Sequence, residues 1–61
     1  MSTDYFLYSP KHKRRAMIAS IGLSGFKYWP NEYGGREFVD WAITNFIDDV
    51  RLVSEHQLPD E

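Results

Sequence analysis

Not one cysteine occurs in this chain of 61 residues, and that absence sets the terms on which it can fold. A domain so short sits near the lower limit at which a hydrophobic core alone holds a structure, and chains of this size commonly add disulfides or a structural metal. Without cysteine, neither a disulfide framework nor a Cys-His zinc site is open to it. Stability then has to come from large side chains or from self-association. Ten aromatics supply the first: Tyr5, Phe6, Tyr8, Phe26, Tyr28, Trp29, Tyr33, Phe38, Trp41 and Phe46. The length suits one domain over residues 1–61, with 1–3 and 58–61 expected to fray.

Local patterns predict an α+β fold. Asp4 to Tyr8 is a short aromatic and apolar run ended by Ser9-Pro10, which favours a strand, and Lys11 to Lys13 reads as a turn. Arg15 to Ile21, with β-branched Ile18 and Ile21 among small residues, fits a second strand, although its Ala and Met would also suit a short helix. Gly22-Leu23-Ser24-Gly25 supplies two glycines for a tight connection, and Phe26 to Trp29 follows as a third strand closed by Pro30. Connections this short make neighbouring strands antiparallel.

From Gly35 to about Asp49 the apolar residues take helical period. Ala42, Phe46, Val39, Val50, Ile43 and Ile47 fall on an arc about 140° wide, which predicts the core face. Gly34 suits the N-cap, and Glu37 lies in the first turn, where an acid favours the positive end of the helix dipole. Asp48-Asp49 would be unfavourable in a last turn, so Val50 to Ser54 is read as a returning strand rather than as more helix. The expectation is a small antiparallel sheet of three to four strands with one amphipathic helix on one face, in β-β-β-α-β order.

Charge divides the chain. Through Pro30, five basic residues face one acid, a balance of +4; from Asn31 onward Arg36 and Arg51 face eight acids, a balance of −6. A surface that is basic at one end and acidic at the other is expected. The longest apolar stretch, Ala16 to Leu23, is too short to span a bilayer, and cysteine-free composition suits a reducing compartment, so the chain is read as cytoplasmic, in the host cytoplasm if phage-encoded.

No constellation for catalysis stands out. Nucleophilic chemistry needs a nucleophile beside an oriented base, and the two histidines, His12 and His56, fall in a basic turn and a polar tail. Asp48, Asp49, Glu55 and His56 lack the alternating spacing and turn glycine of a calcium loop. Neither an enzyme, nor a metal site, nor a cofactor is therefore expected. Trp41 is the most informative single residue. It falls about 100° outside the predicted core arc, next to charged neighbours, so it reads either as a boundary residue or as an interface anchor.

The leading expectation is a non-enzymatic protein-binding module that uses Glu37, Phe38, Asp40, Trp41, Asp48 and Asp49 against a larger protein or complex. Tiny cysteine-free chains with asymmetric charge suit inhibitors of the phage or mobile-element kind, anti-CRISPR and other anti-defence proteins among them, that occlude a site on a host complex. On this reading Trp41→Ala weakens partner binding and leaves the fold intact. The alternative is a small nucleic-acid-binding or regulatory protein that uses Lys11, Lys13, Arg14 and Arg15, with Tyr8 as a stacking surface. A homodimer, formed through the same patch, would complete a marginal core.

Overall fold

The computed structural model describes residues 2–59. Strands β1 (Thr3–Ser9), β2 (Arg14–Gly22) and β3 (Gly25–Tyr28) precede helix α1 (Gly35–Thr44), which is followed by β4 (Arg51–Ser54) and a single 3₁₀ turn at Glu55–Gln57. The four strands form one antiparallel sheet in the order β3-β2-β1-β4. The chain is thus α+β, in the expected β-β-β-α-β order. Because β3 and β4 are opposite edges, α1 has to carry the chain across one face of the sheet.

Turn chemistry explains the two hairpins. Ser9 pairs with Arg14 across a four-residue loop in which Lys13 takes a left-handed φ of 52°. Gly22 pairs with Gly25, and the intervening Leu23 and Ser24 keep negative φ while Gly25 adopts φ 102°. That is the pattern of a type I turn closed by a glycine bulge.

A second irregularity sits inside the sheet. Tyr5 pairs with Ala19 but Phe6 pairs with Met17, so Ile18 is an extra residue in β2. The bulge shifts the alternation by one. Ala16, opposite Leu7, and Ala19, opposite Tyr5, therefore face the same side. Both are buried, and the helix packs on that side against β2.

Two adjacent glycines seat the helix. Gly34 occupies the N-cap with φ 85°, a conformation in which a side chain is strained. Gly35 comes so close to the sheet and the preceding loop that a Cβ there would clash with the Pro30 carbonyl oxygen and crowd Ile18.

The helix is shorter than its periodicity predicts and is turned differently. It ends at Thr44, and Asn45 caps it. Phe46 takes φ 54°, its N–H donates to the Ile43 carbonyl, and the Ile47 N–H donates to the Ala42 carbonyl. This is a Schellman closure with phenylalanine where glycine usually stands. Phe46, Ile47 and Val50 therefore lie beyond the helix, off the arc they were assigned to. The residues buried on α1 are Gly35 and Phe38, whereas Val39 and Ile43 are exposed, with Ile43 72% accessible. The physical cause is the close seating of Gly35, which rolls the stripe through Gly35, Phe38 and Ala42 toward the sheet and lifts Val39 and Ile43 to its edge.

Of the residues expected to fray, Thr3 and Leu58 are described in ordered surroundings. Thr3 pairs with Ile21, and the Ser54 N–H donates to the Gln57 side chain at 2.9 Å, after which Leu58 is half-buried. The fraying expected of Met1, Asp60 and Glu61 falls outside the described residues.

Among the described residues the buried apolar side chains are Tyr8, Ala16, Ala19 and Phe38. The accessible surface is 4645 Å², against about 4,100 Å² for a folded monomer of this mass. The radius of gyration is 11.8 Å, against about 10.5 Å for a compact chain of this length. One helix laid over part of a four-stranded sheet is too small a cover to close it.

Candidate protein-binding surface

The structure brings together the basic turn and the acidic end of the helix, which the charge pattern had placed apart. Trp41 is the joint. Its ring meets Phe38 edge to face at 5.4 Å and His12 at 5.2 Å, and the Arg14 guanidinium lies 4.3 Å from its centroid. Lys11 Nζ reaches Asp48 at 4.0 Å, an ion pair between two exposed side chains that contributes little. The surface is therefore mixed in charge at this end.

Beneath Trp41 is a hydrogen-bond cluster that sequence spacing does not reveal. Ser9 Oγ lies 2.9 and 3.0 Å from the two carboxylate oxygens of Asp49, and the Lys11 backbone N–H donates to Asp49 Oδ2 at 2.8 Å. His12 Nδ1 is 3.1 Å from Ser9 Oγ. A hydroxyl has one proton, and here the carboxylate takes it, so His12 donates through Nδ1. The Lys11 N–H is the main reason that the Asp49 carboxyl is held below its ordinary value; burial opposes it, while the Ser9 hydroxyl and the nearby His12 add to it. Ser, His and Asp meet here, yet Ser9 is fully buried and its proton is committed. The arrangement ties the β1–β2 turn to the segment after α1. The signal available in the sequence was Ser9 at the end of the first strand run and the Asp48-Asp49 pair after the helix, polar groups at element ends.

The six residues expected to bind a partner accordingly divide. Glu37, Asp40 and Asp48 are exposed, and Trp41 is half-buried. Phe38, 3% exposed, is core, and the Asp49 carboxylate is engaged by Ser9 and Lys11; neither presents a free contact surface. The basic set divides too. Lys11 and Lys13 are exposed in the turn, but Arg14 lies over Trp41 while Arg15, next along the strand, lies 5.8 Å from the Phe6 ring on the other face. Tyr8 is 8% exposed, so it offers no stacking face.

A second surface feature lies away from this cluster. Where α1 leaves the sheet uncovered, two open hollows of about 380 Å³ each share Ile18 and Tyr28 as a common wall. One runs along the helix past Leu7, Pro30, Val39 and Ile43, with Arg36 and Asp40 on its rim. The other continues over the sheet past Tyr5, Ile21, Phe26 and Leu52. Phe26 and Tyr28, two apart on edge strand β3, stack at 6.4 Å with their rings 13° from parallel. The sheet-side hollow is lined by aliphatic and aromatic residues alone, whereas the helix-side one adds Asn31, Arg36 and Asp40 to a mainly apolar wall. Period-two alternation in Phe26-Lys27-Tyr28 is the sequence signal for an apolar face on β3, and sequence reasoning did not use it.

Among the described residues no group of three His, Cys, Asp or Glu side chains is arranged to hold a metal ion, and no helix is long and apolar enough to cross a membrane. No protein-family model, no curated protein and no solved structure matches the chain.

Proposed function

We propose that this domain acts as a non-catalytic protein-binding module and that its contact surface is the apolar groove between α1 and the uncovered half of the sheet. The observation that carries the reading is the continuous exposure of Ile21, Phe26, Tyr28, Val39, Ile43 and Leu52 on one side of the molecule. An apolar face of this extent, rimmed by charge, is the composition of an interaction site. An inhibitor that occludes part of a larger host complex is the form this function takes if the groove's partner is a different, host protein. Glu37, Asp40, Trp41 and Asp48 flank the groove's helix and are placed to tune partner choice rather than to anchor it.

Parallel capture from a host-cell extract with immobilised wild type, Ile43→Lys and Leu23→Asp tests this. Leu23, 98% exposed at the β2–β3 turn, lines neither hollow. A protein held by wild type and Leu23→Asp but lost with Ile43→Lys supports the groove. Equal capture by all three puts the contact elsewhere. Binding to DNA or RNA at low salt, abolished by neutralising Lys13, Arg14 and Arg15, would favour the nucleic-acid reading instead.

A further inference from the structure

We infer that the occupant of the groove is a second copy of this chain, an inference that rests on the groove being a protein-docking surface. The first argument is area. Ile21, Phe26, Tyr28, Val39, Ile43 and Leu52 are 42–72% exposed, and at about 200 Å² for each large side chain, within the aromatic range and taken for the aliphatic ones too, they leave roughly 700 Å² on one face. A stable interface takes about 800 Å² from each partner, whereas the largest apolar patch of an ordinary monomer is about 300–600 Å².

The second argument is the core. With Tyr8, Ala16, Ala19 and Phe38 as the buried apolar side chains, the single chain has little to set against its ordering entropy. Oligomerisation is one of the ways in which a chain this small, with neither disulfide nor metal, completes its burial. Docking two copies of the same face gives each a second layer at once.

Charge is the third. The groove rim carries Arg36 and Asp40, four residues apart on α1 and opposite in sign. A two-fold axis that passes between these two positions, with the helices antiparallel, would set Arg36 of each copy toward Asp40 of the other, and such a rim is complementary to itself. A strongly acidic or basic partner would instead select a rim of one sign.

Sedimentation equilibrium of the full chain, up to about 200 µM, reads this directly. The expected species has twice the 7.2 kDa chain mass. Ile43→Lys and, from a different element, Phe26→Lys each raise the dissociation constant at least 30-fold, about the effect of losing one interface hot spot, while Leu23→Asp does not. Arg36→Asp and Asp40→Arg each weaken the dimer, and the double exchange restores it. Far-UV circular dichroism of each variant identifies any that fails to fold, and the element with a folded variant decides. A wild-type chain that stays monomeric, or a dimer indifferent to both lysine substitutions, overturns the inference. A monomer that still captures another protein through Ile43 overturns the second copy and leaves the docking surface standing; a monomer with no groove-dependent capture overturns both.

Discussion

Ser9 and Asp49, forty positions apart in sequence, are joined by a part-buried hydroxyl-to-carboxylate hydrogen bond of 2.9 Å. The bond closes the molecule on itself: it fixes the end of β1 to the residue that leads from α1 into β4, and so sets where the helix can lie. Ser9→Ala removes a fully buried hydroxyl and leaves its partners short of a bond. The expected cost is about 1–3 kcal/mol, read as a lowered urea midpoint with an unchanged slope. A change within error would mean that the helix is held by its ring contacts alone.

The Asp49 carboxylate also makes stability depend on acid. The folded-state value of the Asp49 carboxyl is depressed below the ordinary 3.8, chiefly by the Lys11 N–H. The unfolded chain therefore takes up the proton first as pH falls. The contribution is fully present above 3.8 and disappears as pH drops through the lower folded-state value. Asp49→Asn is expected to flatten this acid limb while lowering stability at neutral pH. Thermal midpoints of both proteins, taken between about pH 2 and 7, check it.

Trp41 is bound up with the fold, because its ring is fixed by Phe38, His12 and Arg14. Trp41→Ala is expected to cost about 2 kcal/mol, below the 3–5 typical of a fully buried aromatic. Phe38→Ala should reach that larger range and leave no stable native state, given net stability of a few kcal/mol. Arg14→Ala combined with Trp41→Ala should fall short of additivity by about 0.5–1 kcal/mol, the worth of a partly exposed cation–π contact. Chemical denaturation of the four proteins provides the cycle. Full stability in Trp41→Ala would return this residue to the interface role that its wheel position suggested.

The strands were legible because their signals are local. Ser9-Pro10, Gly22-x-x-Gly25 and Pro30 punctuate β-rich runs, and each connection is too short for anything but antiparallel pairing. The helix was legible in existence but not in extent or roll. Periodicity continues through Phe46, Ile47 and Val50, and nothing local in Asn45-Phe46 forbids another turn; the chain stops there because Asp49 is taken by Ser9 and Lys11, contacts made across the fold. Roll was set by Gly35, whose missing side chain lets the helix approach Ile18. Sequence reasoning placed the binding surface on the charged side, with Trp41, since it assumed that the apolar arc was fully used. The groove exists because one ten-residue helix cannot cover four strands.

Gly35 offers a direct check on that seating. A methyl group there meets the Pro30 carbonyl and Ile18, so Gly35→Ala forces α1 outward despite the better helix propensity of alanine. The expected loss is about 1–3 kcal/mol, as for other overpacked sites. Gly25→Ala, with open space around it but φ 102°, should cost about 1 kcal/mol through backbone strain alone. If the two are equal by denaturant unfolding, close approach at Gly35 is not what positions the helix.

Phe46 separates fold from function most cleanly. It holds a left-handed backbone, φ 54°, at the position of the helix closure where glycine is at ease, and its side chain is 91% exposed. A bulky residue kept in that conformation with no burial in return weakens the monomer. Phe46→Gly is therefore expected to stabilise the fold by about 1 kcal/mol, whereas Phe46→Ala, which keeps a Cβ in the left-handed region, should gain little. Urea unfolding of the three proteins measures this. If glycine stabilises and alanine does not, the backbone strain is real. If partner capture or dimerisation also falls in both variants, while stability rises or holds, the ring is retained for contact, and the binding surface extends past Ile43 to the end of the helix.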